Sequence, residues 1–291
     1  MGQISLKERL IRLKDMGYQI KTICNVLNMN RSRYYRIINK PQRKAEADVS
    51  DILILDKIKS IIKEHPFWGY RRITAWLRHR ENYLINRKKV YRLMKENGLT
   101  NKQINRKNSR VTRSKPRASK PNEIWGIDMT KFLIPGLGWV YLVITIDWFT
   151  KKIIAWDVDL RSRSEEWREV LNQCVLNEFA DGSRGKGVKL VSDNGSQPTS
   201  RSFIKDCKAL GIEQIFTSYN NPKGNADTER VIRTLKEEII WINEWNSLEE
   251  TLNGLKQGIY FYNNLYPHST LGYLSPVEFE KKYQETPQKV A

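Results

Sequence analysis

Apolar positions in the first hundred residues recur at helical spacing. Leu6, Leu10 and Leu13 fall at i, i+4 and i+7, and Ile20, Ile23 and Leu27 make a second such face. The turn Asn28-Met29-Asn30 then leads into a short basic segment, Arg31 to Arg36, which Asn30 is placed to cap. A second set follows between residues 50 and 99: Ile52, Leu55 and Ile62 on one helix, Tyr70, Ile73 and Leu77 on the next, and Val90, Leu93 and Met94 on a third. Asn86 is the expected N-cap of that third helix and Gly98 its C-terminal stop. From Glu123 the pattern changes. EIWGIDMTKFLI, GWVYLVITIDWF and KKIIAWDVDL are rich in β-branched and aromatic residues and are broken by Pro135-Gly136 and by the polar run 150–152, which predicts three antiparallel strands. The pattern next predicts a helix over 164–179, a short buried strand VKLVS, a helix over 199–210, a strand EQIFTS, a loop YNNPKGN and helices over 226–243 and 247–264.

Three antiparallel strands followed by alternating helix and strand predict an α/β fold, a mixed sheet flanked by helices in the ribonuclease-H-like order. Small all-α units of helix-turn-helix type precede it. The expected division is 1–45 for a first helix-turn-helix-like unit, 50–100 for a second, 101–122 for a linker, 123–270 for the sheet domain and 271–291 for a C-terminal tail. In a helix-turn-helix the last helix enters the major groove; an ordinary helical hairpin with a solvated basic face is the alternative. The segment HPFWGYRR joins the first two helices of the second unit, and Trp68 there is read as core rather than as a base-stacking group.

Composition sharpens this picture. The chain has 291 residues, 40% of them hydrophobic, and a mean hydropathy of −0.61. No apolar run reaches the roughly 18–20 residues that span a bilayer, and the N-terminus lacks the apolar core of a signal peptide, so a cytoplasmic protein with no membrane partner is expected. Cys24, Cys174 and Cys207 are scattered and odd in number, and His65, His79 and His268 do not pair with them at zinc-finger spacing. The net charge of +19 is more informative. Residues 1–121 carry 31 Lys and Arg against 9 Asp and Glu, whereas residues 122–291 carry 20 against 23. A polyanion-binding half therefore precedes a near-neutral one. The candidate DNA contacts are Arg31, Arg33 and Arg36, then Arg71 and Arg72, then Arg87, Lys88, Lys89 and Arg92, and in the acid-free linker Arg110, Arg113 and Lys115.

Three acids occupy suggestive places in the second half. Asp128 interrupts the apolar first strand, Asp193 ends the fourth, and Glu229 opens the helix after the loop, with 35 residues between the last two. Spacing alone decides nothing among 32 acids, but a carboxylate on a buried strand is costly unless it is paired or metal-bound. Three converging carboxylates suit Mg²⁺, with Mn²⁺ able to substitute, and two such ions about 3.5–4 Å apart would clamp both oxygens of an in-line phosphoryl displacement. Asp147, Asp157 and Asp159, at strand ends or faces, are read as structural.

The segments WGIDMT, SDNGSQ, PKGNADTERVIRTLKEE and YNNLYPHSTLGYLSPVEF, in this order, resemble the catalytic core of the DDE transposase and retroviral-integrase superfamily. They are most similar to the second-frame proteins of bacterial insertion sequences of the IS-three family. HPFWGYRR and the basic three-helix unit match the region preceding that core, so the resemblance covers roughly residues 20–285. It implies Asp128, Asp193 and Glu229 as catalytic residues and metal ligands. It implies Lys236 as a contact to the DNA end and Arg233 as a weaker one, a solvated helix face being the alternative for both. Asn194 and Gly195 take supporting and turn positions. It further implies cleavage at the element's terminal inverted repeats, transfer of the 3′-OH to target DNA, a homo-oligomer of two or more on DNA, and a companion from an upstream frame. Localisation would be cytoplasmic and nucleoid-associated when bound. Where relatives often carry arginine before the Pro-His pair, this chain has Tyr266, which puts a phosphate contact there in doubt, and His268 is read as structural. An inactive DNA-binding regulator with the same core, or a simple ribonuclease-H-like nuclease, are the competing expectations.

Overall fold

The computed structural model describes residues 6–38, 40–100, 117–217 and 224–285. They fall into two compact units, one of Met1–Ile73 with Ile85–Thr100, the other of Thr74–Leu84 with Asn101–Ala291.

In the first unit, α1 (Leu6–Asp15), α2 (Ile20–Val26) and α3 (Arg31–Ile38) close around Leu10, Ile23, Cys24 and Tyr34. Asn30 caps α3 as expected, its Oδ1 accepting from Arg33 N at 2.8 Å. α4 (Lys40–Glu64) then runs unbroken through residues 45–50, where a boundary was expected. Its inward stripe is Asp51, Ile54, Leu55, Ile58 and Ile61, at i, i+3, i+4, i+7 and i+10. Ile52, assigned to that stripe from sequence, is 59% exposed because it lies one residue, about 100°, off it. α5 (Tyr70–His79) begins in this unit, and α6 (Arg87–Glu96) completes it with the expected cap, Asn86 Oδ1 accepting from Lys88 N at 2.8 Å. Trp68 is core, stacked on His65 with ring centroids 4.0 Å apart.

The second unit is built on a five-stranded sheet of order β3-β2-β1-β4-β5: β1 (Ile124–Ile134), β2 (Gly138–Asp147), β3 (Ile153–Asp159), β4 (Lys189–Ser192) and β5 (Glu213–Phe216). The β1–β2 and β2–β3 pairs are antiparallel, and β1–β4 and β4–β5 are parallel. This is the mixed sheet expected from sequence. Trp125 and Ile127 point to the face covered by α7 (Ser164–Glu178) and α8 (Arg201–Leu210), where Trp167, Leu171 and Phe203 complete the core. Gly126, between them, faces α9 (Ala226–Leu235). α9 continues as a π-helical turn, Lys236–Ile240, and α10 (Leu248–Asn264) follows.

α10 is fastened to the edge strand β3 through its backbone. Asn263 Oδ1 accepts from Ile153 N, and Asn263 Nδ2 donates to Ile153 O, both at 2.9 Å, while Tyr262 Oη donates to Lys151 O at 3.0 Å. The expected tail carries a further helix, α11 (Pro276–Glu285), opened by a capping box between Ser275 and Glu278. Glu278 also binds Arg80, of the 74–84 stretch in this unit, at 2.6 and 2.8 Å.

Candidate active site

The sheet topology brings the middle of β1, the end of β4 and the start of α9 towards one side. Asp128 lies partly buried on β1, its Oδ1 accepting from Met129 N at 2.8 Å. Burial pushes its carboxyl up to about 7 against the stabilising Met129 N–H; Asp193 and Glu229 push it further the same way, and Lys236 opposes them. Two neighbouring carboxylates that both disfavour ionisation of a third form a cluster short of positive charge.

Asp193 follows β4 directly and is exposed, with Oδ1 accepting from Gly195 N at 3.0 Å in an Asx-type turn. Asn194 Nδ2 ties this turn to β5 through Thr217 O at 2.5 Å. Glu229 stands exposed in the first turn of α9. Asp128, Glu229, Arg233, Lys236 and Trp241 line one cleft of about 470 Å³, and Asp193 is not on its lining. Among the described residues no three His, Cys, Asp or Glu side chains come close enough together to hold one metal ion. The carboxylates fit a hard divalent cation in donor type and in their excess of negative charge.

Lys236 faces this cleft, whereas Arg233 is taken up by Glu237, one turn on, at 2.8 Å. Asp147 is a structural acid. Its carboxylate accepts from Thr150 N and Oγ1 at 2.9 and 2.7 Å and from Asn122 N at 3.3 Å, which shapes the turn after β2. Tyr266 is buried against Tyr262, and His268 Nδ1 meets Thr270 Oγ1 at 2.9 Å, so both belong to the packing after α10.

Gly126 has a consequence that sequence inspection missed. A Cβ there would fall 2.1 Å from Thr228 Oγ1 and 2.3 Å from Trp148 Nε1, two atoms that are themselves hydrogen-bonded at 3.1 Å. Only a glycine lets α9, with Glu229, dock this closely beside Asp128 on β1. The sequence signal was the WG-D spacing itself: a glycine inside a strand marks a close approach. The π-helical turn starting at Lys236 carried no such signal.

Of the candidate DNA contacts in the first unit, Arg31, Arg33 and Arg36 are exposed on α3, and Arg87 and Lys88 at the start of α6. Lys89 and Arg92 instead hold Asp51 of α4, at 2.8 and 2.6 Å. Burial alone would raise the Asp51 carboxyl, but these two cations outweigh it and hold it low. Arg71 is exposed with Nε donating to Tyr70 Oη at 3.2 Å, and Arg72 lies over the Trp68 ring at 5.7 Å. Arg110, Arg113 and Lys115 lie outside the described residues.

Comparison with known proteins matches an integrase core domain model to residues 118–222, a second integrase core domain model to residues 210–276, and an HTH-like domain model to residues 49–108. The chain is 30% identical over 254 residues to the transposase for insertion sequence element IS904 of Lactococcus lactis subsp. lactis (strain IL1403), covering 82% of this chain and 98% of that one. It is 25% identical over 279 residues to transposase InsD for insertion element IS2D of Escherichia coli (strain K12), covering 90% and 91%. Among solved structures, the simian T-cell lymphotropic virus intasome in complex with PP2A regulatory subunit B56 gamma aligns with a TM-score of 0.49 at 18% identity, covering 79% of this chain and 76% of that one.

Proposed function

Because this chain belongs to the integrase-core transposases of bacterial insertion sequences, of the IS-three type, we propose that it cuts DNA at the ends of such an element and joins the freed 3′-OH to target DNA. In the first step water attacks the phosphorus and the bond to the element's O3′ breaks. In the second that 3′-OH attacks a phosphorus of the target, displacing a target 3′-oxygen. No bond between protein and DNA is needed in either step.

The observation that carries this reading is a single cleft lined by Asp128, Glu229 and Lys236, with Asp193 near enough to act on the Asp128 carboxyl. Asp128, Asp193 and Glu229 would hold divalent cations, Mg²⁺ or in its place Mn²⁺, two per site, which when bound make the attacking oxygen a better nucleophile and offset charge at the phosphoryl group. Asp128 must lose its proton to serve as a ligand, so its raised pKa couples cation binding to proton release. Lys236 supplies a positive charge at the mouth of the same cleft, placed to hold a non-bridging phosphate oxygen. Arg31, Arg33 and Arg36 on α3 and Arg87 and Lys88 on α6, all exposed, would supply further contacts to DNA.

Since an element has two ends, each needing a site, the acting form is a homo-oligomer of at least two chains on DNA, with an upstream-frame companion as a further partner. Incubating purified protein and Mg²⁺ with labelled element-end duplex tests the reading: joined strands are expected, cutting without joining would make the protein a nuclease, and binding without cutting a regulator.

A further inference from the structure

β1 pairs with β4 only through Ile124–Gly126. Beyond that point the π-helical turn and residues 241–246 stand beside β1 and leave a cleft of about 570 Å³, whose walls include Lys131, Trp139, Lys236, Trp241, Asn243 and Glu244. Trp139 is 50% exposed and Trp241 57%. Lys131 Nζ lies 4.7 Å from the centroid of the Trp139 ring. The π-helical turn explains why Lys236 and Trp241 share this cleft. Trp241 N donates to Lys236 O at 2.9 Å, a bond spanning five residues, and the widened turn brings the two side chains round together. On a regular α-helix they would point about 140° apart. Both also line the opening that holds Asp128 and Glu229, so the two clefts adjoin at Lys236 and Trp241.

Two half-exposed indoles line this one cleft and leave aromatic faces open to a ligand. Two lysines against one glutamate make its charge complementary to an anion. Flat aromatic faces set between cations match a nucleic-acid strand whose bases are unpaired: the rings stack on the bases and the ammonium groups meet the phosphates. An apolar peptide would leave the lysines unanswered, and an intact duplex would keep its base faces hidden.

We propose that this cleft takes unpaired bases of the DNA strand next to the reacting phosphate, stacked on Trp241 and Trp139, with Lys131 and Lys236 on the flanking phosphates. The proposal rests on the reading of the Asp128 site as one that acts on DNA. It assigns Trp241 and Trp139 to binding and not to chemistry.

The test uses the full chain without divalent cation, so that binding is read apart from catalysis. Fluorescence anisotropy compares a blunt duplex, the same duplex with a short thymine overhang, and the same duplex with an abasic overhang that keeps the phosphates and lacks the bases. The wild-type chain is expected to prefer the thymine overhang by about five- to tenfold or more, stacking being worth ~1–3 kcal/mol per base. The abasic overhang should lose that preference. Trp241→Ala and Trp139→Ala should each reduce the ratio of thymine-overhang to abasic-overhang affinity, and Trp241→Phe should restore most of it. Equal affinity of the wild-type chain for thymine and abasic overhangs would overturn the proposal, whether or not an alanine variant folds. So would an unchanged preference in both folded alanine variants. Strand joining in a separate assay with Mg²⁺ would leave the transposase reading intact where this proposal fails; a thymine preference with no cutting in that Mg²⁺ assay would do the reverse.

Discussion

At the scale of single residues, Asp128 is the carboxyl of the candidate site that burial perturbs. Its folded-state carboxyl, held at about 7 first by burial, lies above the ordinary 3.8. An acid bound more tightly by its proton in the folded state stabilises the fold at low pH, and that contribution is lost as pH rises from about 4 through 7. In the absence of divalent cation, Asp128→Asn should therefore raise Tm at pH 8 by a few °C, about 1 kcal/mol moving Tm by ~2–4 °C in a chain of this size, and should change it little near pH 4. Thermal scans at both pH values check this; a Tm lowered at pH 8 would contradict it. Lys236 and Arg233, three residues apart, should also behave differently. Lys236→Gln should slow strand joining by ~10- to 100-fold with Tm unchanged, as loss of a charge aimed at the reacting phosphate does. Arg233→Gln, which removes a guanidinium already held by Glu237 at the edge of the cleft, should stay within about threefold. Rates of joining under single-turnover conditions separate the two.

At the scale of elements, the contact between β1 and α9 rests on Gly126. Gly126→Ala places a methyl in space held by Thr228 and Trp148, so ~1–3 kcal/mol of stability should be lost and α9 displaced. Strand joining should fall further than the unfolded fraction explains, because Glu229 rides on α9. An activity loss that tracks the loss of folded protein alone would remove Gly126 from the account of the site. The Arg80–Glu278 pair gives a pH-dependent case. Burial would raise the Glu278 carboxyl, but Arg80 and the Ser275 donors more than offset this and hold it below 4.5. The stability it adds is present above its unfolded value and is lost as pH falls through the folded one. Glu278→Gln should lower stability at pH 7 by roughly 1 kcal/mol or less, the pair being partly screened by water, and the difference from wild type should close towards pH 3. Urea titrations at the two pH values measure it.

The elements also show how much was legible in the sequence. β-rich composition and turn residues located all five strands, and the alternation after β3 implied a mixed sheet flanked by helices. Asp128, Asp193 and Glu229 stood out because acids at strand centres and element starts break local patterns. Lys89 and Arg92 read as candidate DNA contacts, and their pairing with Asp51 was not legible because Asp51 lies some forty residues away on another helix, a separation periodicity does not reach. Ile52 was misplaced because several apolar frames fit the run ILIL and only packing against α6 selects one. The cleft of Trp139 and Trp241 joins a β-hairpin to a π-helical turn, and a π turn has no composition that betrays it.

At the scale of the whole molecule, charge and chemistry are divided along the chain. Nearly all the excess positive charge precedes residue 122, and the acids of the candidate site follow it. DNA binding by the intact protein should weaken steeply with salt. Changing Arg31, Arg33 and Arg36 together to Gln should lower the slope of log K against log salt by up to ~0.9 for each phosphate that is no longer neutralised. Lys89→Gln, whose ammonium is held by Asp51, should leave that slope unaltered. The measurement that bears most directly on the central claim uses element-end DNA with its 3′-OH already exposed, so that only joining to target DNA is scored. The wild-type chain with Mg²⁺ should join it, and Asp128→Asn, Asp193→Asn and Glu229→Gln should each lose joining by about a hundredfold or more while binding the same DNA within a few-fold. Near-wild-type joining by any one of the three, or full activity in excess chelator, would contradict the account.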